Sequence, residues 1–163
     1  MTQNVSSLYL DWTGQPVVTF PQKITPGASA FVLNDTGELL LQKRSDNGHW
    51  CMPGGRMDPG ESIAQTCVRE VWEETGLRVR VARLIGVYSD PRDYAIATYP
   101  DGNANQLLSL NFECEITGGE LTLSDEGTEL GFYPLDALPQ PMLLTHKIRI
   151  EDAPKQLSST IIR

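Results

Sequence analysis

The 163-residue chain is 40% hydrophobic and 21% charged, the size and mix of a single globular domain with its own core. Its 13 Lys and Arg against 21 Asp and Glu leave a formal charge of −8, which makes polymeric nucleic acid and anionic membrane poor partners. Three cysteines without CxxC pairing exclude a disulfide scaffold, and two histidines argue against a His-rich zinc site. No stretch approaches the roughly 20 apolar residues of a membrane span, and the N-terminus lacks the basic start and apolar core of a signal peptide. The expectation is a cytoplasmic protein whose Cys51, Cys67 and Cys114 are reduced.

Residues 1–26, with the β-prone PVVTF and then PQKITPG, read as an N-terminal lead-in to one domain over 27–163. ASAFVL (28–33), the turn NDTG (34–37) and ELLLQKR (38–44) predict a β-hairpin. A loop rich in glycine and proline, SDNGHWCMPGGRMDPGE, follows, and then a helix from Ser62 to about Thr75. LRVRVARLIGVYS (77–89) alternates basic and apolar residues as a strand does, while 89–106 reads as a long polar loop of the kind that often carries function. LLSLNFECEI has period two, with Leu108, Leu110, Phe112, Cys114 and Ile116 on one face. LGFYPL predicts a further short strand and PMLLTHKIRIEDA a terminal helix. Strands around a central helix, with another helix at the end, predict a mixed α/β sandwich.

The central helix carries the chemistry. At 3.6 residues per turn Ala64, Cys67, Val68 and Val71 form a buried stripe, and Glu70, Glu73 and Glu74 gather on the other side. Carboxylates three and four residues apart repel by a few tenths of a kcal/mol per pair, and a position toward the helix C-terminus adds to the cost. A solvated acidic face explains such a cluster in an arbitrary sequence. A site for a hard cation explains also why a glycine-rich loop precedes it, since Mg²⁺ takes oxygen ligands and glycine lets backbone carbonyls approach closely. Ser62 is the expected N-cap with Gln65 in the capping-box position, and Glu61 is spaced to fold back on Arg69.

Gly55, five residues, Glu61, seven residues, then REVWEETGL (69–77) resembles a complete Nudix box, Gx5Ex7REUxEExGU with U aliphatic. The resemblance extends over about 28–140 and implies a Nudix-type α/β/α sandwich with a mixed β-sheet, the domain being 27–163. It implies hydrolysis of a nucleoside diphosphate linked to another moiety: a nucleotide sugar such as ADP-ribose, a (d)NTP or a dinucleoside polyphosphate. Glu70, Glu73 and Glu74 would hold Mg²⁺ or Mn²⁺ with the Gly55 carbonyl, Glu61 and Arg69 would pair structurally, and Glu73 and Glu74 would also serve the chemistry. A late-loop glutamate contributes in some members. Glu126, six residues before Phe132, is the first choice and Glu129 the second, although each reads equally as a solvated loop acid. Substrate contacts are assigned to Arg44, Tyr88 and Tyr94, although packing or a surface ion pair explains each of them as well, while Trp50 reads as a core anchor. A non-catalytic nucleotide-binding regulatory module on the same fold is the alternative, and a homodimer through the N-terminal segment is in keeping with the family.

Overall fold

The computed structural model describes residues 9–154 and 159–163. In chain order its elements are β1 (Lys23–Val32), β2 (Leu39–Arg44), β3 (Trp50–Cys51), β4 (Gly54–Arg56), α1 (Ile63–Thr75), β5 (Leu77–Tyr88), β6 (Ile96–Thr98), β7 (Ala104–Gly119), β8 (Gly127–Tyr133), α2 (Leu144–Asp152) and β9 (Ile161–Ile162). One mixed sheet runs β4-β1-β7-β5-β9, with β6 added on β7, and a smaller antiparallel sheet runs β3-β2-β8. β1 lies parallel to β7 over ten residue pairs, from Lys23–Asn105 to Val32–Cys114.

Helices cover the sheets from opposite sides. Cys67 and Val71 of α1 meet Ala28, Ala30, Val32, Val79 and Phe112 in one core cluster. Phe31, Leu39, Leu41, Trp50 and Met52 form a second cluster with Ile150 of α2. The alternation Ala30–Phe31–Val32 therefore feeds two cores from one strand, as a sheet buried on both faces requires. This is the α/β/α sandwich with a mixed sheet.

The expected hairpin of 28–44 does not form. β1 and β2 belong to different sheets, joined across the NDTG turn only by an antiparallel bridge between Leu33 and Leu39. The reason lies in β2 itself: Leu39, Leu40 and Leu41 are all fully buried, so both its faces need cover that a two-stranded ribbon cannot provide. Nor is 89–106 a structureless loop. It holds a 3-10 turn at Pro91–Asp93 and then β6, whose Ile96 and Ala97 are buried and which pairs with β7 from Ile96–Gln106 to Thr98–Ala104. On β7 the opposite face is covered too, so Ser109 and Asn111 are buried beside the expected apolar set, while Ile116 is exposed.

The first strand begins at Lys23, inside the expected lead-in segment. The described part of that segment lies on its own domain: the Trp12 N–H donates to the Ile96 carbonyl, and the Trp12 carbonyl accepts from the Leu144 N–H. Residues 1–8 of this segment, through which a homodimer is expected, lie outside the described residues.

Helix α1 forms where its capping chemistry places it. The Ser62 hydroxyl accepts from the Gln65 N–H at 3.3 Å and the Gln65 side chain accepts from the Ser62 N–H at 2.8 Å, a complete capping box. At the other end Gly76 adopts φ 70° and donates its N–H to the Trp72 carbonyl; a Cβ here would collide with the Glu120 carbonyl. Ser62→Ala is expected to cost about 1 kcal/mol. The melting temperature should then drop by roughly 2–4 °C in thermal unfolding.

Candidate active site

A cavity of about 380 Å³ opens between the loop that carries β4, the outer face of α1 and the strands behind them. Short β4 sets its rim by pairing with β1, Ala28 opposite Gly55 and Ser29 opposite Gly54. This brings loop backbone to the helix carboxylates, as the glycine-rich pattern predicted. A Cβ at residue 55 would come within 2.5 Å of Glu70 Oε1, so glycine here makes room for that carboxylate. The Gly55 carbonyl oxygen itself lies against Gly27, 2.5 Å from where a Cβ at that position would sit.

Arg69 is the hub of the site. Its Nε–H donates to Glu61 Oε1 at 2.6 Å and its Nη2–H to Glu61 Oε2 and the Arg56 carbonyl, both at 3.0 Å. Its Nη1 donates to Glu70 Oε1 at 2.9 Å and to Glu73 Oε2 at 3.0 Å. Glu61 accepts further from the Asp58 N–H and the Thr66 hydroxyl, and this set, led by Arg69, holds its carboxyl down to about 2. The expected Glu61–Arg69 pair thus exists, and it ties loop to helix.

The three helix glutamates occupy different environments. Glu74 is 4% exposed and accepts the Gly54 N–H at 2.8 Å. Burial pushes its carboxyl up to about 8 against the pull of the Gly54 and Gln42 hydrogen bonds, and Glu70 and Glu126 add to the rise. Burial likewise raises Glu70, although Arg69 opposes it. Glu73 has 56% of its side chain exposed and is turned to Arg69. Among the described residues no three His, Cys, Asp or Glu side chains converge as a ready metal cage. The donor set nevertheless suits a hard divalent ion: it is all carboxylate, partly desolvated, and neighbouring carboxylates add to the raised proton affinity of Glu70 and Glu74.

Of the two late-loop candidates, Glu126 lines the cavity and Glu129 does not. Glu129 is ion-paired to Lys43 at 2.8 Å across the small sheet, on its exposed side. Glu126 lies in the turn just before β8, whereas Glu129 lies within the strand, opposite Lys43. Arg44 also lines the cavity, gripped by Asp46 at 2.8 and 2.6 Å and lying 5.1 Å over the Trp12 ring. Tyr88 is buried, with its hydroxyl on Asp152, and Tyr94 caps the 3-10 turn; neither lines the cavity, whereas Tyr99 does.

Sequence reasoning missed three buried residues of the cavity lining, Trp12, His146 and Arg149. Trp12 lies in a segment that shows no periodicity. His146 and Arg149 lie on a helix whose hydrophobic stripe is weak, and the sole sequence signal was a histidine and an arginine on the side of Leu143 and Ile150.

Fold and site together define an α/β/α sandwich enzyme with a carboxylate-walled cavity beside its central helix. Residues 23–153 match the NUDIX domain family, and the chain belongs to the Nudix hydrolases. It is 36% identical over 125 residues to an ADP-ribose pyrophosphatase of Methanocaldococcus jannaschii, spanning 74% of this chain and 68% of that one. Over 120 residues it is 32% identical to an 8-oxo-dGDP phosphatase of Mus musculus, spanning 69% of this chain and 33% of that one. The crystal structure of an ADP-ribose pyrophosphatase from Streptococcus suis matches with a TM-score of 0.64 at 25% identity, covering 85% of this chain and 98% of that one.

Proposed function

We propose that the protein is a metal-dependent pyrophosphohydrolase that cleaves the diphosphate of a small nucleotide, such as a nucleotide sugar of the ADP-ribose kind or an oxidised or ordinary (d)NTP. The observation that carries this reading is the meeting of Glu70, Glu73, Glu74 and Glu126 on one cavity. Glu70, Glu73 and Glu74, with the Gly55 carbonyl, are the groups that would hold Mg²⁺ or Mn²⁺. When bound, the ion neutralises diphosphate charge and lowers the pKa of a bound water.

The chain's own residues supply the rest. Arg69 orients Glu70 and Glu73 through one guanidinium nitrogen and braces the loop through the other two. Glu126, carried on an exposed loop whose backbone carbonyl is held by the Ser45 N–H, is the group to take a proton from the attacking water. Arg44, already oriented by Asp46, offers its remaining N–H groups to a phosphate oxygen.

Phosphate release from ADP-ribose, dGTP, 8-oxo-dGTP and diadenosine polyphosphates, coupled to a phosphatase where needed, tests the reading. Turnover of at least one of them with Mg²⁺ or Mn²⁺, and none in EDTA, is expected. Equal turnover with and without metal, or none of any substrate, refutes it.

A further inference from the structure

The backbone that leads into β4 is held from three elements at once. The Met52 N–H donates to His146 Nδ1 of α2 at 3.1 Å, the Pro53 carbonyl accepts the Ala30 N–H of β1 at 2.9 Å, and the Gly54 N–H donates to Glu74 of α1 at 2.8 Å. Met52 is fully buried, so its N–H has no water to turn to if the imidazole is lost.

The His146 bond stands where a backbone bond would be expected. Trp50 meets Met142 in a parallel bridge, its N–H donating to the Pro141 carbonyl and its carbonyl accepting from the Leu143 N–H. In a parallel ladder the next N–H on this strand, that of Met52, would go to the Leu143 carbonyl. That carbonyl is taken instead by the His146 and Lys147 N–H groups as α2 begins. The imidazole, in the first turn of the helix, replaces it. Since a backbone amide can only donate, Nδ1 carries no proton. Burial, with Arg149 and Arg44 nearby, holds the ring well below its ordinary pKa and keeps that nitrogen free to accept.

Two residues beyond Met52 the same backbone gives the Gly54 N–H to Glu74. One residue further Gly55 packs so closely on Glu70 that a Cβ there would collide with its carboxyl. Pro53 has a fixed φ and no N–H, so a turn of the peptide at Met52 is passed on with little play. Resting on the reading of Glu70, Glu73 and Glu74 as the groups that hold a divalent ion, we propose that His146 is a positioning residue of that site. It fixes the peptide at Met52 and, through Pro53, sets where Gly54 and Gly55 meet Glu74 and Glu70.

Asparagine and glutamine separate this role from a packing role. Asparagine carries its oxygen where Nδ1 sits, and glutamine carries its own one bond further out. Mn²⁺ affinity is read by electron paramagnetic resonance and the Gly54 amide by hydrogen exchange in the metal-free protein, and neither needs turnover. His146→Leu should weaken Mn²⁺ binding by roughly 10- to 100-fold, the usual scale for partners that orient metal ligands. It should lower kcat with little change in nucleotide KM at saturating metal, and the Gly54 amide should exchange at least about 10-fold faster. His146→Asn should recover most of each loss and His146→Gln little of it, and this pair carries the test if His146→Leu does not fold. Wild-type Mn²⁺ affinity in His146→Leu or His146→Gln, or equal losses in His146→Asn and His146→Gln, overturns the proposal, since a packing role would show in the melting temperature alone. A wild-type protein that binds no Mn²⁺ would sink the metal reading on which the proposal rests, whereas one that binds it and cleaves no nucleotide would sink the hydrolase reading alone.

Discussion

Glu74→Gln is expected to lower kcat by roughly 10²-fold or more while leaving the melting temperature of the metal-free protein unchanged or raised at pH 8. The side chain is buried, and its carboxyl is displaced from 4.5 to about 8. A carboxyl whose folded pKa lies above its unfolded value favours folding when protonated. Its contribution is complete below about pH 4.5 and is lost as pH rises through about 8. Ionised Glu74 therefore costs stability on the order of 2–5 kcal/mol at alkaline pH, and glutamine does not ionise. The metal-free wild type should lose melting temperature between pH 5 and pH 8, and the variant should lose less. Mg²⁺ should raise the melting temperature of the wild type more than that of the variant. Glu73→Gln, at an exposed carboxylate, should reduce kcat in the same direction with little change in stability. A Glu74→Gln protein with full activity, or one whose melting temperature falls in step with its activity, would contradict this account.

Arg69→Ala is expected to damage stability and catalysis together. Five hydrogen bonds vanish at once, to Glu61 twice, Glu70, Glu73 and the Arg56 carbonyl. Three carboxylates are then left facing one another without their cation. Exposed ion pairs contribute about 0–1 kcal/mol and breaking a buried one costs about 3–5. Arg69 at 25% side-chain exposure and Glu61 at 19% fall between these cases, so a loss of about 1–3 kcal/mol is expected. Arg69→Lys keeps the charge but cannot reproduce the fork, and it should recover stability better than kcat. Thermal unfolding beside initial rates checks both variants; an unchanged melting temperature in Arg69→Ala would show that loop and helix are held by other contacts.

Helix α1 was legible because everything that defines it is local. Ser62 and Gln65 cap it, Gly76 ends it, and a 3.6-residue period separates Cys67 and Val71 from the glutamates. The Glu61–Arg69 pair was legible for the same reason, eight residues apart across one turn of chain. The hairpin misled because local turn chemistry at NDTG is the same whether the next strand pairs with its predecessor or crosses to another sheet. That choice depended on Leu39, Leu40 and Leu41 needing cover on both faces. β6 was hidden because three residues carry too little periodicity to stand out in a stretch otherwise rich in polar and turn-forming residues.

By itself, then, the sequence determined the family, the central helix, its acidic face and the glycine-rich loop that meets it, since each rests on spacings within about twenty residues of chain. Tertiary structure alone decided that Glu126 and not Glu129 lines the cavity, and that Tyr88 is core. It also brought Trp12, Ser29, His146 and Arg149 to the lining of that same cavity. The physical reason is that burial and hydrogen-bond satisfaction are set by the whole folded surface. Residues more than a hundred positions apart become neighbours only when both sheets and both helices have closed over them.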